Sequence, residues 1–178
     1  MLRFLTHSDD NDTIGATTTS SPVSVIPLPP VTNQHTGRTS AAPTEIAVDP
    51  ADYRFDHAEE LYYFRSPSGK FFCGIVTAPM SAGCHGPTSP VPPRPESCAP
   101  QISWGAGMSV DRDGTTGFIC TGGVIYANGF GETDPVLPYG HSLTVLGFSC
   151  TSAPAGIRCT HLTTGHGFRI ATDSNEQF

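Results

Sequence analysis

The stretch Phe71-Phe72-Cys73-Gly74-Ile75-Val76-Thr77-Ala78-Pro79-Met80-Ser81-Ala82-Gly83-Cys84 decides the fold. An aromatic residue stands two positions before the first cysteine, a proline-containing turn sits in the middle, and a glycine precedes the second cysteine. Phe148-Ser149-Cys150-Thr151-Ser152-Ala153-Pro154-Ala155-Gly156-Ile157-Arg158-Cys159 follows the same plan. Cysteines on either side of a tight turn pin a β-hairpin, so the two stretches read as a degenerate internal repeat of one stapled hairpin. Cys98 and Cys120 complete three successive couples. Pairing Cys73 with Cys84, Cys98 with Cys120 and Cys150 with Cys159 closes the shortest loops at the least entropic cost. With no C-x-x-C present, these couples point to disulfides and an oxidising compartment.

Working outward, the aromatic run at 60–64 reads as a strand. The turn Ser66-Pro67-Ser68-Gly69 follows, then a second strand over 70–76 and a return strand ending at Cys84. The proline-rich residues 87–100 cannot form a central strand, because proline donates no ladder hydrogen bond, and are expected to cross the surface as a strap. Further strands are expected at 102–104, 108–110, 117–120, 124–126, 143–150, 157–160 and 167–171. Asp111-Arg112-Asp113-Gly114 and Ala153-Pro154-Ala155-Gly156 supply hairpin turns among them. A helical turn is expected only at 56–60. The fold class is all-β: a small disulfide-stapled antiparallel domain, built as a hairpin-based sandwich or a partly open barrel.

Residues 5–52 hold no Phe, Trp, Tyr or Cys. Such a segment cannot bury enough apolar surface to offset the entropy of ordering it, so residues 1–52 are expected to be a disordered, dispensable Thr/Ser/Pro-rich tether, and 53–178 the folded domain. Asn11-Asp12-Thr13 is formally a glycosylation acceptor. Asp9, Asp10 and Asp12 interrupt any apolar core that an export signal would need, so no signal peptide is readable. No apolar run reaches the length of a transmembrane helix. Oxidised-looking cysteines without a signal have three explanations: a start codon set too far downstream, a signal already removed, or reduced cytosolic thiols. The cysteine spacing favours the first two and an extracytoplasmic location. Lys+Arg number 9 against 16 Asp+Glu, for a net charge of -7. Without a basic cluster to displace counterions, nucleic acid and anionic lipid surfaces are excluded as partners.

Several short motifs together carry a resemblance. They are Phe64-Arg65-Ser66-Pro67-Ser68-Gly69 leading to Cys73, the strap before Cys98, Cys120-Thr121-Gly122, Leu137-Pro138-Tyr139-Gly140, and Gly156-Ile157-Arg158-Cys159-Thr160 running into Gly165-His166-Gly167-Phe168. Over residues 63–178 the chain resembles an uncharacterised family of small exported or lipid-anchored actinobacterial proteins. The resemblance implies an extracytoplasmic, envelope-associated domain with disulfides. It implies no activity, and the chain lacks the signal or lipobox expected upstream.

Chemistry is then sought residue by residue. His161 and His166 flank a turn rather than sharing a strand face, so no metal site is expected. Asp111-x-Asp113-Gly114 opens like a calcium loop but lacks the closing Glu. There is no Gly-x-Ser-x-Gly elbow, and an even cysteine count leaves no thiol nucleophile. No cofactor is indicated. Rings on a rigid sheet can stack on sugar faces or anchor a protein. The expected binding residues are Phe130 and Tyr139, in Gly/Pro-rich loops, with His166 and Phe168. Two readings follow: a non-catalytic module binding an envelope glycan, lipid or protein, or a secreted hydrolase built on His166 with a carboxylate such as Asp134 or Asp173.

Overall fold

Strands form here wherever the chain alternates core-seeking with small or polar residues. Residues 44–55, 60–129 and 133–178 are described in the computed structural model, all of them within one compact unit, Ala41–Phe178. Eleven strands occur among them: β1 Ile46–Ala47, β2 Tyr62–Arg65, β3 Phe72–Thr77, β4 Met80–His85, β5 Ser103–Asp111, β6 Thr116–Thr121, β7 His141–Val145, β8 Phe148–Ala153, β9 Gly156–His161, β10 Gly167–Ile170 and β11 Asn175–Gln177. There is no α-helix among the described residues, and so none long and apolar enough to cross a membrane.

The strands make two sheets. β2 to β6 form one antiparallel meander, and β7 to β11 form a second, to which β1 adds in parallel beside β7. Each meander carries a disulfide between its second and third strands. Cys73 and Cys84 are register partners across β3 and β4, with Cα atoms 4.0 Å apart. Cys150 and Cys159 are partners across β8 and β9, at 4.1 Å. The likeness between the two cysteine stretches therefore extends to the strand order around them. Cys98–Cys120 is the third bond, so the pairing is sequential and no cysteine is free. Three disulfides fit an oxidising compartment.

Alternation along each strand sends one set of side chains between the sheets. Phe64, Ile75, Met108 and Val110 of the first sheet meet Leu143, Phe148, Ile157, Phe168 and Ile170 of the second, with both hairpin disulfides among them. These apolar side chains are 0–1% exposed. A smaller cluster of Tyr63, Val76, Ile119 and Tyr126 caps the outer face of the first sheet.

The proline strap is tied down rather than free. Trp104 Nε1 donates to Pro92 O at 2.9 Å, Asn175 Nδ2 donates to Pro90 O at 2.8 Å, and Arg94 Nη1 donates to Ala99 O at 2.9 Å.

The observed strands depart from the sequence reading in several places. Ordered pairing begins upstream of Tyr53: Ile46 N donates to Gly140 O and Val48 N to Ser142 O, and Asp49 caps a 3-10 turn over Pro50–Tyr53. A two-residue strand without aromatics leaves no mark on composition. The stretch 143–150 is two strands, because Leu146 and Gly147 both take positive φ, 53° and 81°, and make a tight hairpin turn. Leucine rarely occupies such a position, which hides the turn. The stretches expected as two strands at 102–104 and 108–110 belong to one strand, β5 Ser103–Asp111, with an irregularity between Trp104 and Met108. Residues 124–126 are not a strand and instead lie over the first sheet. Most of the expected helical turn at 56–60, and Phe130, fall outside the described residues.

Candidate functional site

In an antiparallel meander alternate turns lie at the same end. At one end of this sandwich the β2–β3, β8–β9 and β10–β11 turns converge with the turn that precedes β7. They enclose an open groove of about 590 Å³ lined by Ser66, Ser68, Lys70, Phe71, Tyr139, Ala153, Pro154, Ala155, Gly156, Ile157, Arg169, Ala171, Thr172, Asp173 and Ser174.

Each wall is held by its own local chemistry. In the β2–β3 turn the buried Ser66 accepts at Oγ from Phe71 N at 3.1 Å and lies 3.0 Å from Ser68 Oγ. Gly69 takes the left-handed conformation there, with φ 69°. At Gly156 a Cβ would collide with Ile170 O, so only glycine lets the β8–β9 turn approach β10. Arg169 Nη1 donates to Ala155 O at 3.1 Å and to Ser174 Oγ at 3.4 Å, which ties the β8–β9 and β10–β11 turns together.

Tyr139 stands at the groove, 42% exposed. Its turn is fixed from both sides: Ile46 N donates to Gly140 O at 2.9 Å, Gly140 N donates to Ser152 O at 2.8 Å, and His141 N closes onto Pro138 O at 3.1 Å. The backbone under the ring is thus braced by both β1 and β8.

The other expected site residues lie elsewhere. Phe168 is fully buried between the sheets, so it is a core residue and not a contact for an external ligand. Its neighbour Ile170 shares that face across Arg169, a period-two signal that marks the pair as core. His166 is exposed in the β9–β10 turn, at the opposite end of the strands from the groove. Its Nδ1 lies 3.2 Å from the main-chain oxygen of Phe178, and its backbone N donates to Thr164 Oγ1 at 3.3 Å. Asp173 is on the groove wall, and Asp134 is buried, accepting at Oδ2 from Asn128 N at 3.2 Å. Burial raises the Asp134 carboxyl above the ordinary range, partly offset by the Asn128 bond and the Arg65 charge. Neither carboxylate is a hydrogen-bond partner of His166. No His/Cys/Asp/Glu cluster suited to a metal occurs among the described residues.

His85 clamps residues 124–129. Its Nε2 accepts from Ile125 N at 3.0 Å, and its ring centroid lies 5.7 Å from that of Tyr126. Burial lowers its pKa, opposed by a hydrogen bond to the Ala106 backbone. Sequence reasoning missed Lys70, Arg169 and the serines of the groove. The alternate-end rule for meander turns is the signal that brings them together.

The model of a family of unknown function (DUF6636) matches residues 50–178, and the chain belongs to that family. No curated protein and no solved structure matches it.

Proposed function

We propose that this member of DUF6636 is a non-catalytic module that works outside the cytoplasm and binds a cell-envelope glycan in the groove at Tyr139. The observation that carries this reading is a 42% exposed tyrosine ring on a backbone braced by two strands, set among hydroxyl and charged side chains. A sugar presents an apolar C–H face, which stacks on an aromatic ring, and hydroxyls that need polar partners around it. Ser68, Thr172 and Ser174 offer such partners, and Lys70, Arg169 and Asp173 offer charged ones. The walls mix apolar residues such as Pro154 and Ala171 with these polar ones, which suits a two-faced sugar better than a wholly apolar lipid tail. The groove volume falls in the range of about 300–1,000 Å³ usual for small-ligand sites. The disulfides favour an oxidising setting, and two hairpins each stapled across their strands make a scaffold on which turns hold position without a ligand.

The test compares the protein and its Tyr139→Ala variant for retention on insoluble envelope glycan, with melting followed in parallel. Loss of the ring is expected to weaken retention by about fivefold, the equivalent of roughly 1 kcal/mol of stacking, with little change in melting. Equal retention by the two proteins contradicts the reading.

A further inference from the structure

The charges at the groove run against the charge of the chain. The protein carries a net -7, yet the groove is lined by two cations, Lys70 and Arg169, and a single carboxylate, Asp173. Lys70 is exposed on the β2–β3 turn and has no ion-pair partner among the described residues. Arg169 is different. Its guanidinium is oriented in advance by Ala155 O and Ser174 Oγ, and its Nε faces Glu176 at 3.7 Å on the neighbouring strand. Asp173 is engaged as well, accepting from Ser174 Oγ at 3.3 Å. One cation is thus fixed and the other is free to swing, on different walls of the same groove as the Tyr139 ring.

A fixed guanidinium is suited to a planar or tetrahedral oxyanion, and a mobile ammonium closes on it as a point charge. A neutral glycan would use Lys70 only as a hydrogen-bond donor, whereas an acidic one also draws on its unpaired charge. From this arrangement we infer that the sugar bound in the groove carries an acidic group, a carboxylate or a phosphate, received between Lys70 and Arg169. The inference rests on the glycan reading above and adds to it the class of sugar. The net negative charge of the chain then works as a filter: it disfavours polyanions in general and leaves this end as the place where an acidic unit is accepted.

The test uses one pool of envelope glycan from the organism that makes the protein, in three forms: intact, with carboxyls methyl-esterified, and with phosphates removed. Retention of the full chain and of Lys70→Gln is measured on each, at low and at raised salt. Lys70 is exposed on a turn, so its replacement leaves the fold intact, whereas Arg169 bridges two turns and is not the residue to change. The inference expects one treated form, esterified or dephosphorylated, to be held about fivefold more weakly than the intact pool, as befits a screened exposed charge. Which form weakens tells carboxylate from phosphate. Lys70→Gln should hold the intact pool no better than the weakened form, and salt should narrow the difference. If all three pools are held equally and Lys70→Gln behaves as the native protein does, the acidic-group inference is overturned while the glycan reading stands. If the intact pool is not retained at all, both fail.

Discussion

Gly74 and Gly83 are register partners across β3 and β4, on the face turned away from the Cys73–Cys84 disulfide, where the Tyr63 ring covers Gly74 and the Tyr126 ring covers Gly83. Period-two alternation makes this pair the counterpart of the disulfide: where cysteine points inward, its neighbour must point outward. The absence of side chains at both positions leaves a seat for the two tyrosine rings, and the Tyr126 hydroxyl lies 3.0 Å from Ser81 Oγ. Residues 124–129 are thereby held over the first sheet. In the second meander the equivalent outward residues are Thr151 and Arg158, also register partners, and no such seat exists there.

A methyl group at Gly83 would collide with the Tyr126 ring, while one at Gly117 meets nothing within 4 Å. Gly83→Ala is expected to destabilise the protein by about 1–3 kcal/mol through overpacking. Gly117→Ala should stay within about 0.5 kcal/mol of the native protein. Denaturant unfolding of both variants decides it, and equal midpoints would show that Tyr126 is not packed on the sheet.

The two hairpin disulfides close loops of similar length, with sequence separations of 11 and 9. Loop entropy assigns about 3 kcal/mol to each. Replacing both cysteines of either pair with alanine is therefore expected to cost a similar amount, about 2–5 kcal/mol. A loss confined to one pair, measured as the change in unfolding free energy, would show that the two meanders are not energetically equivalent.

Ile46 is 57% exposed, so its side chain adds little, but its N–H braces the Tyr139 turn through Gly140 O. Ile46→Pro removes that donor. The expected cost is about 1 kcal/mol of stability, together with weaker glycan retention as the ring loses its fixed position. Unchanged melting and retention would show that β1 does not support the groove.

Local chemistry made the hairpins legible. Cysteines flanking the proline turn at Pro79 and the turn Ala153-Pro154-Ala155-Gly156, and the glycine-ended turn at Asp111-Arg112-Asp113-Gly114, state their geometry within a dozen residues. The pairings observed across β3–β4, β5–β6 and β8–β9 lie where those signals put them. The groove was not legible in that way. Ser68, Tyr139, Ala155 and Thr172 are far apart in the chain, and only the alternation of turn ends in two meanders gathers them. Tyr139 stood out because an aromatic between Pro138 and Gly140 has no strand to pack into. Phe168 was misread because its glycine neighbour drew attention away from its alternation with Ile170. β1 escaped notice because two residues pairing through the backbone alone need no distinctive side chains.

His85 makes stability depend on pH. Its folded-state pKa lies below the ordinary 6.5, burial being the larger cause and the Ala106 bond opposing it. The unfolded chain therefore takes up the proton first as pH falls, and the stability contributed by the neutral imidazole, present above the unfolded value, is lost as pH falls through the folded one. Protonation also removes the acceptor at Nε2 that holds Ile125 N. The groups facing the ring are the Tyr126 phenol and the backbone of Ala106 and Ile125. Asp111 and Asp134, both raised by burial, act in the opposite sense and nearer to acid. The native protein is expected to exceed His85→Gln in melting temperature at about pH 8, with the gap closing toward about pH 5. A gap independent of pH would mean that His85 does not titrate in this window.

Amide chemical-shift mapping of the isotopically labelled protein, titrated with soluble envelope-glycan fragments, tests the groove most directly. The expected result is perturbation concentrated at Ser68, Lys70, Tyr139, Ala155 and Thr172, saturating with fragment concentration and reduced in Tyr139→Ala. Perturbation gathered instead around Thr164 and His166 at the other end of the sandwich, or none at saturating fragment, would contradict it.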